Sequence, residues 1–370
     1  MKNLQILLFS ILSIALLLFT DCNKDDGPTD GQFTGMIGSM GHSSLVSSDG
    51  YLYVVGGRNA DLLIIKTDLV GNKIWERTYN FLGIFYGNLG MQILETFDHH
   101  FVISATTSSK YNPGFLIKID DNGDSLWTYR FIEGEQVYFE ATAEMSDHSL
   151  LVINQEEISF DPVLFQPVGK KISTTGELLK AKIYSDTSLY EMYLWNWQLN
   201  ENGNVHFVGT RNSVGFTMEI DDSLEIVSQQ IIDSTREYYN FSNIAGQYIS
   251  GEIRYGSTTK LKLAKVAPVN SVIWAMDYDM ASTQWTDLYW IWPIPGGYMI
   301  SGQMWFEGDK GYKMSEPYLM QIDENGNRLK FWDLDSGLQA LPYNVHYISN
   351  DYFLIVGQDA AIEIWRLESL

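Results

Sequence analysis

The stretch SDGYLYVVGGRNADLLIIKTDLVGNKIW (residues 48–75) decides the fold of this chain. A small polar turn opens it, and a run rich in Val, Leu and Tyr follows. A second apolar run then leads through a turn with Asp and Gly to Trp75. Short β-rich runs separated by Gly, Asn and Asp are typical of β-hairpins. The stretch therefore predicts three short antiparallel strands.

Seven copies of the first part of this stretch recur along the chain. They start at Ser48, Phe97, Ser146, Glu201, Ile244, Ile294 and Ser349. A second hairpin element follows, as in FLIKIDDNGDSLW (residues 115–127), and a fourth short run such as GMQILETF (residues 90–97) precedes the next copy. Four strands in a unit of about 50 residues are typical of propeller blades. The sequence therefore predicts an all-β fold, a seven-bladed β-propeller of four-stranded blades.

The two ends of the chain predict how the propeller closes. The last copy reaches Leu370 with only three strands, whereas QFTGMIG (residues 32–38) adds a strand before the first copy. Pairing of residues 33–37 with residues 362–366 would complete the seventh blade and remove two exposed strand edges. We therefore expect residues 32–370 to form a single domain, a ring closed by this N-terminal strand.

The first 31 residues predict where the protein is located. Lys2 precedes an apolar run over residues 4–19, which is short of the roughly 20 residues that span a bilayer and is typical of a signal peptide. The run leads to Cys22, the only cysteine, and resembles a bacterial lipoprotein signal, although Phe19 and Asp21 depart from that pattern. The resemblance implies a signal peptide over residues 1–21, a lipidated Cys22 and a flexible tether over residues 22–31. An ordinary cleaved signal with an incidental cysteine is the alternative.

The residues after Cys22 and the overall charge limit the partners. NKDD (residues 23–26) resembles the lysine-plus-acids signal that sends some Gram-negative lipoproteins to the outer cell surface. This resemblance implies a bacterial outer-membrane location facing the exterior, held by the lipid anchor alone. A net charge of −22 argues against a nucleic-acid partner and against electrostatic binding to anionic lipid. We expect a monomer.

IKTDLVGNKIW (residues 65–75) resembles the repeat of secreted bacterial seven- and eight-bladed propellers. The quinoprotein dehydrogenases share a Gly–Trp docking feature of this kind. Their adjacent-cysteine disulfide is impossible here, so the resemblance implies no quinone, and we predict no cofactor. We expect Trp75, Trp127 and Trp274 on outermost strands, each covering the neighbouring blade, because an indole ring buries up to about 250 Å².

The acidic and histidine residues of the repeats are interpreted as parts of turns. DDNGD (residues 120–124) and DENGN (residues 323–327) carry oxygen ligands at alternate positions, as calcium loops do. The equivalent LVGN (residues 69–72) lacks the acids, however, so a turn is favoured. His99, His100 and His148 occupy equivalent tight turns, and no spacing matches a zinc motif. The sequence therefore predicts no metal site.

The segments that lead from one blade to the next carry aromatic residues beside acids or amides. In a propeller these crossings meet on one face around the central channel, where rings can stack on a sugar and polar groups can bond its hydroxyls. The ligand-binding candidates are Phe85, Tyr86, Tyr138, Tyr190, Tyr238 and Trp285. In the alternative interpretation the rings are inter-blade core, which we expect for Trp195, Trp197, Trp290 and Trp292.

Three functions fit this sequence. The first is a surface-exposed, non-catalytic module that binds a glycan or another external ligand through the aromatic and acidic rim. The second is a glycoside hydrolase or lyase with two carboxylates about 5–10 Å apart, drawn from Glu135, Glu140, Glu191, Asp233, Asp279 and Asp287. The third is a scaffold that docks other cell-envelope proteins. The absence of a catalytic motif from the sequence favours the first, and no catalytic residue is assigned.

Overall fold

The structure is a computed structural model of the chain. It describes residues 36–37, 40–81, 88–107, 114–131, 137–160, 163–184, 192–200, 202–211, 214–233, 240–244, 247–253, 260–266, 272–279, 285–307, 313–334, 341–349, 352–358 and 361–368. Within this part of the chain, no helix is long and apolar enough to cross a membrane.

The described residues form 28 strands. In chain order they are β1 (Met36–Ile37), β2 (Met40–Val46), β3 (Leu52–Arg58), β4 (Asp61–Thr67), β5 (Lys73–Tyr79), β6 (Asn88–Glu95), β7 (Phe101–Thr107), β8 (Phe115–Ile119), β9 (Ser125–Arg130), β10 (Val137–Glu144), β11 (Leu150–Phe160), β12 (Val163–Ile172), β13 (Leu178–Ile183) and β14 (Met192–Leu199). They continue with β15 (Val205–Arg211), β16 (Val214–Ile220), β17 (Ile226–Asp233), β18 (Asn240–Ile244), β19 (Gln247–Ile253), β20 (Lys260–Val266), β21 (Val272–Asp279), β22 (Trp285–Ile294), β23 (Gly297–Glu307), β24 (Lys313–Asp323), β25 (Arg328–Asp333), β26 (Leu341–Ser349), β27 (Tyr352–Gln358) and β28 (Ala361–Glu368).

These strands pair into seven four-stranded antiparallel sheets. Sheets 1 to 6 each contain four consecutive strands in sequence order: β2–β5, β6–β9, β10–β13, β14–β17, β18–β21 and β22–β25. Sheet 7 contains β26, β27 and β28, and its fourth strand is β1 from the other end of the chain. The prediction of an all-β propeller of four-stranded blades is confirmed.

The predicted pairing of the chain ends is present in its described part. Met36 lies opposite Ile362, and Ile37 lies opposite Ala361, in an antiparallel ladder between β1 and β28. The remaining predicted residues, 33–35, lie outside the described residues.

The first strand of each sheet is the innermost. Each first strand contacts the first strand of the next sheet, and β26 of sheet 7 contacts β2 of sheet 1. The fourth strand is therefore the outer edge of its sheet. The turns between first and second strands, and between third and fourth strands, lie at one end of the sheets, which we call the turn face. The connections between second and third strands, and the crossings from one sheet to the next, lie at the other end, which we call the crossing face.

Apolar side chains from neighbouring sheets interdigitate to form the core. Between sheets 1 and 2, the fully buried Tyr53 stacks on Phe101 with ring centroids 4.0 Å apart. Between sheets 7 and 1, Val356 packs with Leu52 and Val54. Complete burial of one such aliphatic side chain contributes about 1.5–3 kcal/mol. The second strands β3 and β7 each carry five consecutive buried residues, because both faces of such a strand meet a neighbouring sheet.

The described side chains of the inner-strand tryptophans pack in the core, as the alternative interpretation predicted. Trp197 packs on the cluster between sheets 3 and 4, and Trp292 packs on the cluster between sheets 6 and 7. Trp290 stacks on Trp292 at 6.4 Å. Trp195 lies in β14, at a β-bulge between Leu194 and Asn196.

Candidate functional site

The strand ends that the six crossings join all lie at the crossing face, because each crossing leads from the outermost strand of a sheet to the innermost strand of the next. Tyr138 is the second residue of β10 and lies opposite Gln155. Trp285 is the first residue of β22 and lies opposite Trp305. The structure therefore places two of the six predicted ligand-binding positions where a crossing enters an innermost strand. Phe85, Tyr86, Tyr190 and Tyr238 lie outside the described residues.

The predicted carboxylates do not gather in one described strand. Glu140 lies at the β-bulge of β10, and Asp287 is the third residue of β22. Asp233 and Asp279 are the last residues of the outermost strands β17 and β21. Glu135 and Glu191 lie outside the described residues. Two of these carboxylates thus share an innermost strand with a candidate ring, whereas the other two stand at outer edges.

The repeated acids of the turn face are partners of buried or half-buried lysines. Lys118 Nζ lies 2.7 Å from Asp98, and Lys171 Nζ lies 2.8 Å from Asp147. Hydrogen bonds from Lys171 and Ser149 lower the pKa of Asp147 to about 2. Such pairing is expected because a buried ammonium group needs a counter-charge. The 49-residue spacing of Asp49, Asp98 and Asp147 is therefore a structural feature of the repeat.

In sheet 4 the same two positions carry the opposite arrangement: the acid lies on the third strand, and its hydrogen-bond donor lies in the turn. Asn202 replaces the turn aspartate, and Glu219 replaces the buried lysine. The Glu219 carboxylate accepts hydrogen bonds from Asn202 at 3.1 Å and Asn204 at 2.8 Å. The contact between the turn and the third strand is thus kept without an ion pair, which again indicates a structural role.

Glutamates fasten the inner turns of neighbouring sheets to one another. Glu95 accepts the Ser48 backbone N–H at 2.7 Å, and Glu144 accepts the Phe97 backbone N–H at 2.6 Å. His148 occupies a left-handed turn position with φ of 65°, its Nδ1 lies 3.6 Å from Glu144, and its ring stacks on Phe97 at 4.3 Å. The Phe97 side chain is 72% exposed and is the most open large apolar residue described on the turn face.

The acidic sequences between third and fourth strands form turns, as predicted. Asp120 Oδ1 accepts the backbone N–H groups of Asn122 and Asp124, both at 2.9 Å. Asp323 makes the same contacts to Asn325 and Asn327 at 2.9 and 2.7 Å. Side-chain bonds of this kind are typical of Asx turns. Among the described residues, no group of three or more His, Cys, Asp or Glu could hold a metal ion.

Tryptophans on three outermost strands dock on the next sheet, which confirms the sequence prediction. Trp75 Nε1 donates to the Asp121 carbonyl at 3.0 Å. A Cβ on Gly123 would lie 3.1 Å from the Trp75 ring, so the ring needs a glycine at this turn position. The Tyr79 hydroxyl donates to the Gly123 carbonyl. The two equivalent indole bonds run from Trp127 to the Thr174 carbonyl at 2.9 Å and from Trp274 to the Glu324 carbonyl at 2.8 Å.

At the joint between sheets 3 and 4, both the docking tryptophan and the turn glycine are replaced by other residues. Lys180 takes the docking position and donates to the Ser223 carbonyl at 2.7 Å. The turn residue is the fully buried Leu224, which adopts φ of 62°. The Tyr184 hydroxyl still donates to the Leu224 carbonyl at 3.1 Å, and burial raises the pKa of Tyr184. Where no indole covers the turn, a larger side chain fills the space.

A serine–histidine pair links sheets 7 and 1. The Ser44 hydroxyl lies 2.7 Å from His346 Nε2, between the innermost strands β2 and β26. Burial lowers the pKa of His346 to about 4, so the ring is neutral at neutral pH. This pair was not predicted from the sequence, because neither residue recurs at the repeat spacing.

These features define a β-propeller of four-stranded blades whose outer edges are fastened by side chains donating to turn carbonyls. No family model matches the chain. No curated protein matches it either.

Solved structures resemble the fold at low sequence identity. YCF48 from Cyanidioschyzon merolae is 12% identical with a TM-score of 0.50, and the match covers 91% of this chain and 98% of YCF48. A protein of unknown function from Dyadobacter fermentans is 10% identical with a TM-score of 0.50, with 80% and 98% covered. The AfRom2 CNH domain is 8% identical with a TM-score of 0.50, with 92% and 100% covered. At these identities the likeness concerns the fold alone.

Proposed function

We propose that this protein is a non-catalytic, surface-exposed binding module that takes a glycan on its crossing face. The observation that supports it best is the convergence of the six crossings at one end of the innermost strands. Tyr138 and Trp285 stand where two of these crossings end. Aromatic rings beside acids and amides suit a sugar, which offers apolar C–H faces and hydroxyl groups. The repeated acids of the turn face, by contrast, are occupied by lysine partners.

We propose further that the seven sheets are the blades of one closed ring. The pairing of β1 with β28 and the packing of β26 on β2 support this arrangement. In such a ring the crossings would surround a single channel mouth. In a Cys22→Ser background, the pair Ile37→Cys and Ala361→Cys would join directly opposed residues, whose Cα atoms are about 4.5–5.5 Å apart in an antiparallel ladder. Closure predicts a disulfide in the folded monomer, and its failure to form would favour an open array.

The proposed location is the exterior of a bacterial outer membrane, reached only through a lipid on Cys22. The apolar run before Cys22 and the NKDD stretch after it support this proposal. Metabolic labelling with an alkyne fatty acid in a Gram-negative host would test it. We expect labelling of the wild type, no labelling of Cys22→Ser, and protease access to the protein on intact cells.

A thermal-shift screen of the chain from Cys22 onward against oligosaccharides would test the binding function. A ligand at 100 times its Kd adds about 2.7 kcal/mol to the free energy of unfolding, which such a screen detects. We expect Tyr138→Ala and Trp285→Ala to weaken binding at least about fivefold, since stacking of each ring on a sugar is worth about 1 kcal/mol or more. Phe97→Ala is the matched control, an exposed ring on the turn face, and should bind normally.

The outcomes also separate the two alternative functions. Cleavage of a bound glycan would favour the hydrolase or lyase. A folded protein that binds no glycan but retains another envelope protein through the crossing face would favour the scaffold. Either result would contradict the proposed function.

A further inference from the structure

The joint between sheets 2 and 3 carries polar side chains in its core, which we call the joint cluster. Its members are Ser104 of β7, Thr142 of β10, Asn154 and Glu156 of β11, and Lys170 of β12. Side chains alternate between the two faces of a strand, so Ser104 shares a face with Val102. Asn154 likewise shares a face with Val152, and these two valines pack in one apolar cluster between the sheets. Thr142 and Lys170 lie opposite Val152 in the ladders on either side of it and share its face.

The joint between sheets 1 and 2 is apolar at the same positions. Its register places Val55, Ile93, Ala105 and Ile117 where the joint cluster has Ser104, Thr142, Asn154 and Lys170. These four apolar residues belong to one buried cluster. In sheets 4 and 6 the position of Lys170 is again apolar, with Met218 and Met320. The combination of polar side chains is therefore a feature of this joint and not of the repeat.

Three atoms of the joint cluster are buried without a hydrogen-bond partner in the part of the chain that the structure describes. They are the Ser104 hydroxyl, the Thr142 hydroxyl and the Asn154 side-chain carbonyl oxygen. Ser104 and Thr142 are each 1% exposed, and Asn154 is fully buried. Proteins pair nearly all buried polar atoms, because an unpaired atom loses its bonds to water without replacement. Three such atoms on the facing surfaces of one joint indicate a site for a polar guest.

The other two members of the joint cluster cancel each other's charge. Lys170 Nζ forms an ion pair with Glu156 and lies 4.5 Å from the centroid of the Phe131 ring. Asn154 Nδ2 donates to Glu156 Oε1 at 3.0 Å. The three unpaired groups are two hydroxyls, which donate and accept, and one carbonyl oxygen, which accepts. A charged ligand would bring a buried charge without a counter-charge. The joint cluster therefore suits an uncharged ligand rich in hydroxyl groups, such as a sugar.

The joint cluster lies below a step on the crossing face. β11 continues six residues beyond Asn154, whereas β7 continues only two residues beyond the equivalent Ala105. Four additional residues of strand extend about 13 Å, so sheet 3 rises above sheet 2 along this joint. Tyr138, at the crossing-face end of β10, belongs to the same sheet. The step makes the crossing face concave where the candidate ring lies.

The bonds that fasten sheets 2 and 3 at their other end do not block entry from the crossing face. The Trp127 indole donates to the Thr174 carbonyl at 2.9 Å, and Glu144 accepts the Phe97 backbone N–H at 2.6 Å. Both bonds lie at the turn face. The two sheets can therefore part at the crossing face without breaking either bond.

We infer that the joint cluster is a binding site for the terminal residue of a glycan, entered from the crossing face between sheets 2 and 3. This inference rests on the proposed function and deepens it, because it assigns one sugar residue to one joint. The hydroxyl groups of that residue pair with Ser104, Thr142 and Asn154, and the rest of the glycan lies over the rim near Tyr138. A chain end suits this site better than a chain interior, because the three atoms are buried.

Monosaccharide binding to a variant with an apolar joint tests this inference. The triple variant Ser104→Val, Thr142→Val and Asn154→Ala makes the joint resemble the apolar joint between sheets 1 and 2. Isothermal titration with glucose, galactose, mannose and N-acetylglucosamine compares it with the wild type. We expect at least one of these sugars to bind the wild type, with an affinity at least about tenfold lower in the triple variant, because three hydrogen bonds are lost. The unfolding midpoint of the unliganded triple variant should rise, because three unpaired polar atoms are removed.

Thr107→Val is the matched control for the triple variant. The Thr107 hydroxyl is also buried without a partner among the described residues, but it lies on the opposite face of β7 from Ser104. This control should bind the sugar as the wild type does. If the triple variant does not fold, Asn154→Ala alone, which copies Ala105, provides the same comparison with a smaller loss of affinity.

Two results would overturn the inference: no monosaccharide binds the wild type, or the wild type and the triple variant bind it equally. The oligosaccharide screen separates this failure from failure of the proposed function. An oligosaccharide that binds both proteins equally would leave the proposed function intact and remove the joint site. A monosaccharide that distinguishes the two proteins, with oligosaccharide binding unaffected by Tyr138→Ala and Trp285→Ala, would support the joint site and contradict the rim.

Discussion

The joint between sheets 1 and 2 and the joint between sheets 7 and 1 are fastened in different places. At the first, Trp75 and Tyr79 reach from an outermost strand to carbonyls of the next sheet. At the second, the described polar contact is the Ser44–His346 pair between innermost strands. The first uses residues that recur along the chain, and the second uses residues found once. Repetition therefore explains how most sheets dock, but not how the two ends of the chain meet.

Substitution of the glycine that lies against a docking tryptophan should give the largest loss of stability. Gly123→Ala would bring a Cβ to 2.8 Å from Arg77 Cγ and 3.1 Å from the Trp75 ring, at a φ of +81°. We expect the free energy of unfolding to fall by about 3 kcal/mol, because backbone strain and crowding add. Gly50→Ala is the control: its φ is +85° with nothing within 4 Å, so it should cost only about 1 kcal/mol. Urea denaturation measures both, and equal losses would show that the ring does not crowd the turn.

Removal of the docking side chain should cost more stability at a joint fastened by tryptophan than at the joint fastened by lysine. We expect Trp127→Ala to cost about 2 kcal/mol, because it loses a half-buried ring and a hydrogen bond. Lys180→Ala, at the equivalent position of sheet 3, should cost less than about 0.5 kcal/mol, because the lysine is exposed. Thermal or urea unfolding compares the two variants. Similar losses would mean that the indole ring adds nothing beyond its hydrogen bond.

The joint between sheets 7 and 1 should weaken in mild acid. His346 has a pKa of about 4 in the folded protein, whereas an unfolded chain binds this proton at about pH 6.5. Stability from the neutral ring is therefore present above pH 6.5 and is lost as the pH falls toward 4. We expect a loss of about 2 kcal/mol between pH 7 and 4.5.

His346→Gln provides the comparison for this pH dependence. Glutamine stays neutral and keeps a donor for Ser44, so the variant should lose about 2 kcal/mol less than the wild type over the same pH range. The low-pKa carboxylates Asp147 and Glu76, both at about 2, contribute mainly below pH 4 and are common to both proteins. If the free energy of unfolding changed with pH in the same way for both proteins, the assignment of this pH dependence to His346 would be wrong.

Loss of the tyrosine hydroxyl should give a smaller effect than loss of the Trp127 ring or protonation of His346. Tyr79→Phe removes the bond to the Gly123 carbonyl, and we expect a loss of about 1 kcal/mol. Phe131 occupies the equivalent position of sheet 2 naturally, so the ring alone fits there. Burial raises the pKa of Tyr79 to about 12, and spectrophotometric titration of the wild type and variant would identify this group. No change in stability would mean that the bond is not retained in solution.

The repeated part of the fold could be predicted from the sequence because each unit shows its turns and strands locally. Trp75, Trp127 and Trp274 were assigned correctly to inter-sheet docking, since a large ring on an outermost strand can cover only its neighbour. The exchanged positions of donor and acid at Asn202 and Glu219 could not be predicted from the sequence. The register of β15 and β16 is needed, because it brings the two residues together. Ser44 and His346 are 302 residues apart and carry no repeat signal.

The strand order that positions the candidate site could be predicted from the sequence, whereas the binding role of its residues stays a prediction. The strand order puts the starts of all first strands at one face, and Tyr138 and Trp285 lie at two of these starts. Specificity depends instead on how separate blades present their side chains to one ligand, and the sequence of any single repeat does not encode that geometry.

Hydrogen–deuterium exchange with a bound oligosaccharide tests most directly whether the crossing face is the binding face. If the ligand binds the crossing face, exchange should slow at the starts of β10 and β22, around residues 137–139 and 285–287. Exchange at the inner turns of the opposite face, residues 47–51 and 96–100, should not change. Protection of those turns, with the starts of β10 and β22 unaffected, would contradict the account and place the ligand on the turn face.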